Sequence, residues 1–334
     1  MSTIHKATQP SDFLAAVPAL LGFQPTDSVV VVPFADSLTV GAMRFDLPSA
    51  ENAAHVANVA AGMVCKMEGA TGLALVVYGE RTEAEVVSAA MTQTAAECGL
   101  RMVGGFYVTG AGWGLIGGDV VSPMPEVPAP LVALVPDGDQ RCGAALPEVD
   151  EALAREVAAA IPADLSIALA TQGTDPLGLI EAALSWDGSA LEAQSVAALI
   201  AVMNRPALRD VALVQWAHGL LVGASALHAQ IAWEGGTEYP RHLAAVMWGE
   251  GSRPDAERLR AALTACRHLA ALAPGAAQVG PLAAAAWLSW ALGRSTHAEV
   301  YARRALAIDA EHGLSQIVAS FVAAGHLPEF VFTR

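Results

Sequence analysis

Residues Ser11–Arg44, SDFLAAVPALLGFQPTDSVVVVPFADSLTVGAMR, decide the fold class. Asp12 to Leu21 carries the apolar spacing of a short helix that Ser11 or Asp12 can cap, and Gly22 closes it. Pro18 is tolerated there only with a kink. Val29 to Phe34 is an unbroken run rich in β-branched residues, the pattern of a strand covered on both faces. Between them lies the polar turn Gln24-Pro25-Thr26-Asp27-Ser28, which sets two polar side chains at the mouth of a buried strand. After a turn at Ala35-Asp36-Ser37, Leu38 to Leu47 alternates roughly and predicts the second strand of a hairpin.

Outward from this hairpin the pattern continues as an α/β sheet. Glu51 to Met67 is an amphipathic helix with Ser49 as its cap, and Gly72 to Tyr78 is an apolar strand. Glu83 to Cys98 predicts a helix with Thr82 as cap and Glu85 at the third position, a capping box, and Arg101 to Val108 predicts a fourth strand. Helices alternating with strands argue for a mixed sheet with flanking helices. The glycine-rich Gly104–Gly118 reads as a hairpin in preference to a phosphate cradle, because it has neither a Walker lysine nor a helix-opening GxGxxG.

Prolines 123, 125, 128, 130 and 136 predict extended chain, so the organisation is an α/β domain over 1–120, a proline-rich linker over 121–147 and an all-α domain over 148–334. The predicted helices of that last domain are 148–161, 177–184, 191–203, 207–221, 239–247, 254–273, 282–292, 297–308 and 315–324. The stretch from Ala283 to His312 is similar to one tetratricopeptide unit, with Ala298, Tyr301, Ala305 and Leu306 on one helix face. About three such units make a free-standing solenoid, so a single helical hairpin packed into a bundle is expected.

The chain of 334 residues is 54% hydrophobic and 15% charged, enough apolar matter for two well-packed domains. A net charge of −15 repels phosphate backbones and anionic membranes alike, so neither nucleic acid nor membrane is an expected partner. No apolar run reaches the length of a membrane span and the N-terminus lacks a signal-peptide layout, so a cytoplasmic protein is expected. Cys65, Cys98, Cys142 and Cys266 lack zinc-type spacing, and Cys65 and Cys98 read as small buried hydrophobes. No metal or cofactor is expected.

Leu20-Leu21-Gly22-Phe23, Pro25, Asp27-Ser28, and Arg44 followed by Asp46-Leu47-Pro48 stand where the actinobacterial domain-of-unknown-function family 4192 has its LLGF, proline, acidic-serine pair and R-x-D-L-P ending. The chain resembles that family at this segment and again from Leu282 to Pro328, less so between. A cysteine-rich turn typical of the family after its aromatic strand is missing beyond Trp113. The resemblance implies a fold and supplies no catalytic residues.

The candidate ligand-binding residues are Asp27, Ser28, Arg44 and Asp46. Asp27-Ser28 reads first as an Asx-type turn at the amino end of its strand, whereas ligands of open α/β sheets sit beyond carboxyl ends. Arg44 and Asp46, two apart, share a strand face and can pair with each other or with Asp27; a buried arginine needs such a partner. His218 and His228 are too far apart for one helical turn, and no HExxH or GxSxG is present. Thr171–Pro176 and Ser185–Ser189 read as loops, the first able to cap a helix. Seven tryptophans imply apolar surface. Together these features point to a non-catalytic binding or scaffold protein working through protein–protein contacts, by a partner or by self-association. The alternative is an enzyme or sensor for a small phosphorylated ligand held by Arg44 and polar groups between the two domains.

Overall fold

In the computed structural model, residues 6–132, 135, 138–162, 175–186 and 191–332 are described. The chain forms two compact units, Met1–Cys142 and Gly143–Arg334. The first holds a mixed sheet with helices against it and the second is helical.

Unit one begins with α1 (Pro10–Leu21), whose Pro18 is buried inside the helix and whose cap Gly22 adopts the left-handed φ of 78°. β1 (Ser28–Ala35) follows, with Val29 to Val32 fully buried. β2 (Leu38–Thr39) and β3 (Met43–Asp46) both pair antiparallel with it. Then come α2 (Ala53–Lys66), β4 (Gly72–Tyr78), α3 (Arg81–Glu97), β5 (Arg101–Thr109), β6 (Gly112–Leu115), β7 (Val121–Ser122) and the short α4 (Ala129–Val132). The sheet order is β2-β1-β4-β5-β6-β7, with β3 alongside β1; only β4 and β5 are parallel.

Alternation along the strands sorts the two faces. Val30, Val32, Val76, Tyr78 and Phe106 meet Leu14 and Val17 of α1. The opposite face carries Gly105, whose absent side chain leaves room for Ser88 of α3, and α3 packs on β4 and β5.

Leu38 to Leu47 is two strands, because the ladder slips by one residue between them. Phe34 pairs Thr39, while Val31 pairs Met43, so residues 40–42 carry one extra residue opposite Val32 and Pro33. Pro33 accounts for the site of this bulge. Its carbonyl accepts the Val40 N–H at 3.0 Å, but its own nitrogen, on the same side, has no hydrogen to give back.

Three other expectations are corrected in unit one. The capping box lies two residues earlier than expected, with the Glu80 N–H donating to Glu83 at 2.8 Å. The proline-rich segment is no free linker up to residue 142: β7 extends the sheet, α4 packs on α1, and Gln140 is buried. Cys65 and Cys98 are exposed. Gly104–Gly118 is indeed spanned by the β5–β6 hairpin, and Gly114 is obligatory there, since a Cβ would lie 2.5 Å from the Tyr107 hydroxyl.

Unit two contains α5 (Glu151–Ala160), α6 (Pro176–Ala182), α7 (Ala193–Met203), α8 (Pro206–His218), α9 (Leu220–Glu234), α10 (Arg241–Met247), α11 (Ala256–Leu272), α12 (Val279–Ala291), α13 (Ser295–Ile308) and α14 (Gly313–Ala323). Asp175 caps α6 through the N–H groups of Leu177 and Gly178, each at 3.1 Å. The rest of the expected Thr171–Pro176 loop, and Asp187–Ser189, lie outside the described residues. α12 is the axis of the unit. Every one of its residues is buried, and it packs on α7, α8, α11, α13 and α14. Leu292-Gly293-Arg294 joins it to α13, on which Ala298, Tyr301 and Ala305 face inward and Leu306 is half-buried.

Three tryptophans are core, and each buried indole donates to a carbonyl: Trp216 to Ile180 at 2.9 Å, Trp287 to Met247 at 3.0 Å and Trp290 to His326 at 2.8 Å. Tryptophan content therefore overstates the apolar surface; only Trp233 and Trp248 are largely exposed. The second polar anchor is the ion pair of Arg258 with Glu181, two hydrogen bonds at 2.7 and 2.9 Å, steadied by Gln215 at 3.0 Å from Glu181.

His312 ties α14 to α8. Buried Arg209, itself paired with Asp210 at 2.9 Å, donates to His312 Nε2 at 3.2 Å, while His312 Nδ1 accepts from the Ser315 backbone N–H at 3.4 Å and lies 2.9 Å from the Ser315 hydroxyl. Burial, and then the neighbouring Arg209 charge, hold His312 below its ordinary value of 6.5. A histidine depressed in this way contributes stability that is complete above 6.5 and is lost as pH falls through the folded-state value. We therefore expect thermal scans to show the wild type losing its advantage over His312→Asn between pH 7 and pH 5; a gap independent of pH would contradict this.

Candidate functional site

Ser28, Arg44 and Asp46 come together at one end of the sheet. Ser28 lies directly between Asp46 of β3 and Tyr78 of β4, and Val30 opposite Arg44 one step further in. All of these side chains share the α1 face. The Arg44 Nε donates to the Ser28 hydroxyl at 2.7 Å, and that hydroxyl donates to the Thr26 carbonyl at 2.5 Å. The Arg44 Nη2 lies 2.6 Å from Asp46 Oδ1, with side-chain exposures of 8% and 70%. Of the two pairings open to Arg44, the one formed is with Asp46.

Asp27 plays a backbone part. It adopts a left-handed φ of 43°, which aspartate tolerates better than most residues, and its carbonyl accepts the Leu47 N–H at 2.9 Å. Its side chain is exposed, and among the described residues it makes no ion pair. The turn it ends is clamped from afar by Gln140. That amide accepts from the Thr26 N–H at 3.1 Å and the Thr26 hydroxyl at 3.3 Å, and donates to the Thr26 carbonyl at 3.2 Å. Nothing in local sequence flags Gln140; it stands 114 residues away.

The amino end of β1 is not remote from the ligand-binding edge. β1 runs antiparallel to β3 and β4, so Ser28 stands beside Asp46 and Tyr78, the last residues of those strands. This is the carboxyl edge of the parallel pair, where open sheets bind ligands. Local pattern carries no direction for β1 relative to β4, so the expectation that Asp27-Ser28 lies at the wrong end of the sheet is corrected here. Tyr78 was missed for a related reason, reading only as the end of an apolar strand. Its hydroxyl is buried without a hydrogen-bond partner among the described residues, and burial raises its pKa well above the ordinary tyrosine value.

Immediately beyond Tyr78, the N-terminus of α3 holds its own carboxylates. Glu83 accepts from the Glu80 backbone, and Arg81 is paired with Glu85 at 2.8 Å and Asp119 at 3.1 Å. An anion arriving at that helix end meets carboxylates in place of free N–H groups. Among the described residues no group of three or more His, Cys, Asp or Glu side chains could hold a metal ion. No described helix is long and apolar enough to cross a membrane.

The match to the family model described as Domain of unknown function (DUF4192) runs over residues 10–329. The chain belongs to this DUF4192 family. The match takes in the hairpin network and nearly all of the helical unit. No curated protein and no solved structure matches the chain.

The site's energetics follow from its exposures. Removing the Ser28 hydroxyl leaves a buried guanidinium N–H without its acceptor, whereas Asp46 is exposed and its pairing is screened by water. Urea denaturation should show Ser28→Ala costing about 1–3 kcal/mol and Asp46→Ala under ~1 kcal/mol. The reverse order would show that the network is held by the ion pair.

Proposed function

We propose that this protein is a non-catalytic binding or scaffold protein acting through protein–protein contacts. The observation that carries this reading is the surface of α9. Its fully buried residues are small, Gly223, Ala226 and Ala229, with Val222 and Leu227 half-buried against the core, while Leu221, Ile231 and Trp233 stand 84%, 62% and 53% exposed. Exposed apolar groups gathered on one element mark contact surfaces more often than scattered ones do. The α12–α13 hairpin, read as tetratricopeptide-like, supports the same view, since such hairpins present a face to peptides or subunits. The polar residues of the first hairpin, bonded to one another, oblige no reaction.

Light scattering after size exclusion, together with pull-down from lysate, tests this. We expect either self-association or a retained partner, lost in the double variant Leu221→Ser with Trp233→Ser. A wild type that is strictly monomeric and retains nothing overturns the reading.

The second reading is a sensor or enzyme for a small phosphorylated ligand, held by Arg44 with Ser28, Asp46 and Asp27. The unpartnered Tyr78 hydroxyl beside Ser28 favours it, and the carboxylates at α3 rank it second. Thermal-shift measurements with inorganic phosphate, nucleotides and sugar phosphates decide it. A ligand at a hundred times its dissociation constant adds about 2.7 kcal/mol of stability. The shift should vanish in Arg44→Ala and shrink in Tyr78→Phe; no shift with any of these anions removes the reading.

A further inference from the structure

Two of the four cysteines meet on the surface of unit one. Cys65 lies in the last turn of α2 and Cys98 caps the C-terminus of α3. The two helices pack side by side, and Asn58 Oδ1 accepts from the Thr94 hydroxyl at 3.0 Å between them. At the same helix–helix seam Cys65 and Cys98 are neighbours, the Cys98 thiol acting directly on that of Cys65, and both residues are exposed. Cys142 is half-buried and Cys266 buried, so neither competes for a reagent from solvent on equal terms.

We propose that Cys65 and Cys98 form a dithiol that is reversibly oxidised to an intramolecular disulfide by a low-molecular-weight disulfide. The geometry suits closure. The two neighbouring sulfurs must approach to about 2.05 Å. Both residues sit at helix ends, where the chain is already leaving helical geometry: Met67 is extended at ψ 124° and Gly99 is left-handed at φ 71°. A small displacement of either terminus therefore closes the gap without unwinding a helix interior.

The reaction balances in two exchanges. One protein thiolate attacks a sulfur of the small disulfide, forming a mixed disulfide and releasing one small thiolate. The second protein thiolate attacks the protein sulfur of that mixed disulfide and expels the other small thiolate. The protein loses two protons and two electrons, and the small disulfide takes up both as two thiols. Burial first, then the neighbouring Cys98 thiol, raises Cys65 above its ordinary value, so little thiolate exists at neutral pH. Exchange should then quicken by about tenfold for each unit of rising pH in that range.

Oxidised glutathione is the probe, followed by non-reducing peptide mass mapping. The expected product is a peptide cross-linked through Cys65 and Cys98, lighter by two hydrogens and reversed by dithiothreitol. Cys65→Ser and Cys98→Ser should each instead accumulate one glutathione adduct on the cysteine that remains. Independent adducts on both cysteines of the wild type, a cross-link between two chains, or inert thiols in the folded protein that react once it is denatured would each overturn the proposal.

Discussion

The burial of β1 is the constraint on which unit one depends. Val29 to Val32 are wholly shielded from water, with α1 against one face of the sheet and α3 packed on β4 and β5 from the other. A strand so placed has its backbone satisfied by β4 on one side and by β2 and β3 on the other. Wherever that pairing falters, the chain must supply a substitute. Pro33 cannot donate, and the extra residue in the facing strand falls opposite it. Ser28, at the buried end, gives its hydroxyl to the Thr26 carbonyl and receives from Arg44. A slip of one residue in β3 would carry Arg44 to the opposite face and away from Ser28, so the pair also selects the register.

Unit two meets the same demand by different means. α12 is buried all round, which leaves no polar face to orient it. Orientation comes from directed hydrogen bonds at its rim, the indoles of Trp287 and Trp290 to carbonyls at 3.0 and 2.8 Å. At its start, the Gly280 N–H donates to Asn204 at 3.1 Å. Apolar burial supplies the driving force in both units, while a few polar contacts remove the freedom to slide.

Function is read from what this bonding leaves over. Where the hairpin groups answer one another, a structural role suffices; Leu221 and Trp233 facing solvent, and a buried Tyr78 hydroxyl with no hydrogen-bond partner among the described residues, contribute no such internal stability. α9 also shows why local patterns fall silent at such places. Its apolar residues surround the helix, so no amphipathic stripe marks it between Ala207–Leu221 and Tyr239–Met247, and the sequence reading passed over it.

The sequence by itself determined the elements that local chemistry dictates. The β-branched run at Val29, the glycine stop at Gly22, the Gly104–Gly118 hairpin and most of the later helices all follow from short-range sterics and periodicity. Sequence also set Arg44 and Asp46 on one strand face, able to pair with each other or with Asp27, and the structure chose Asp46. Only the tertiary structure decided strand direction, which moved Ser28 to the carboxyl edge beside Tyr78. It alone brought Gln140 to Thr26, set Cys65 beside Cys98 and exposed both thiols. Each of these depends on which segments pack together across tens of residues, and that choice is made by the whole core at once.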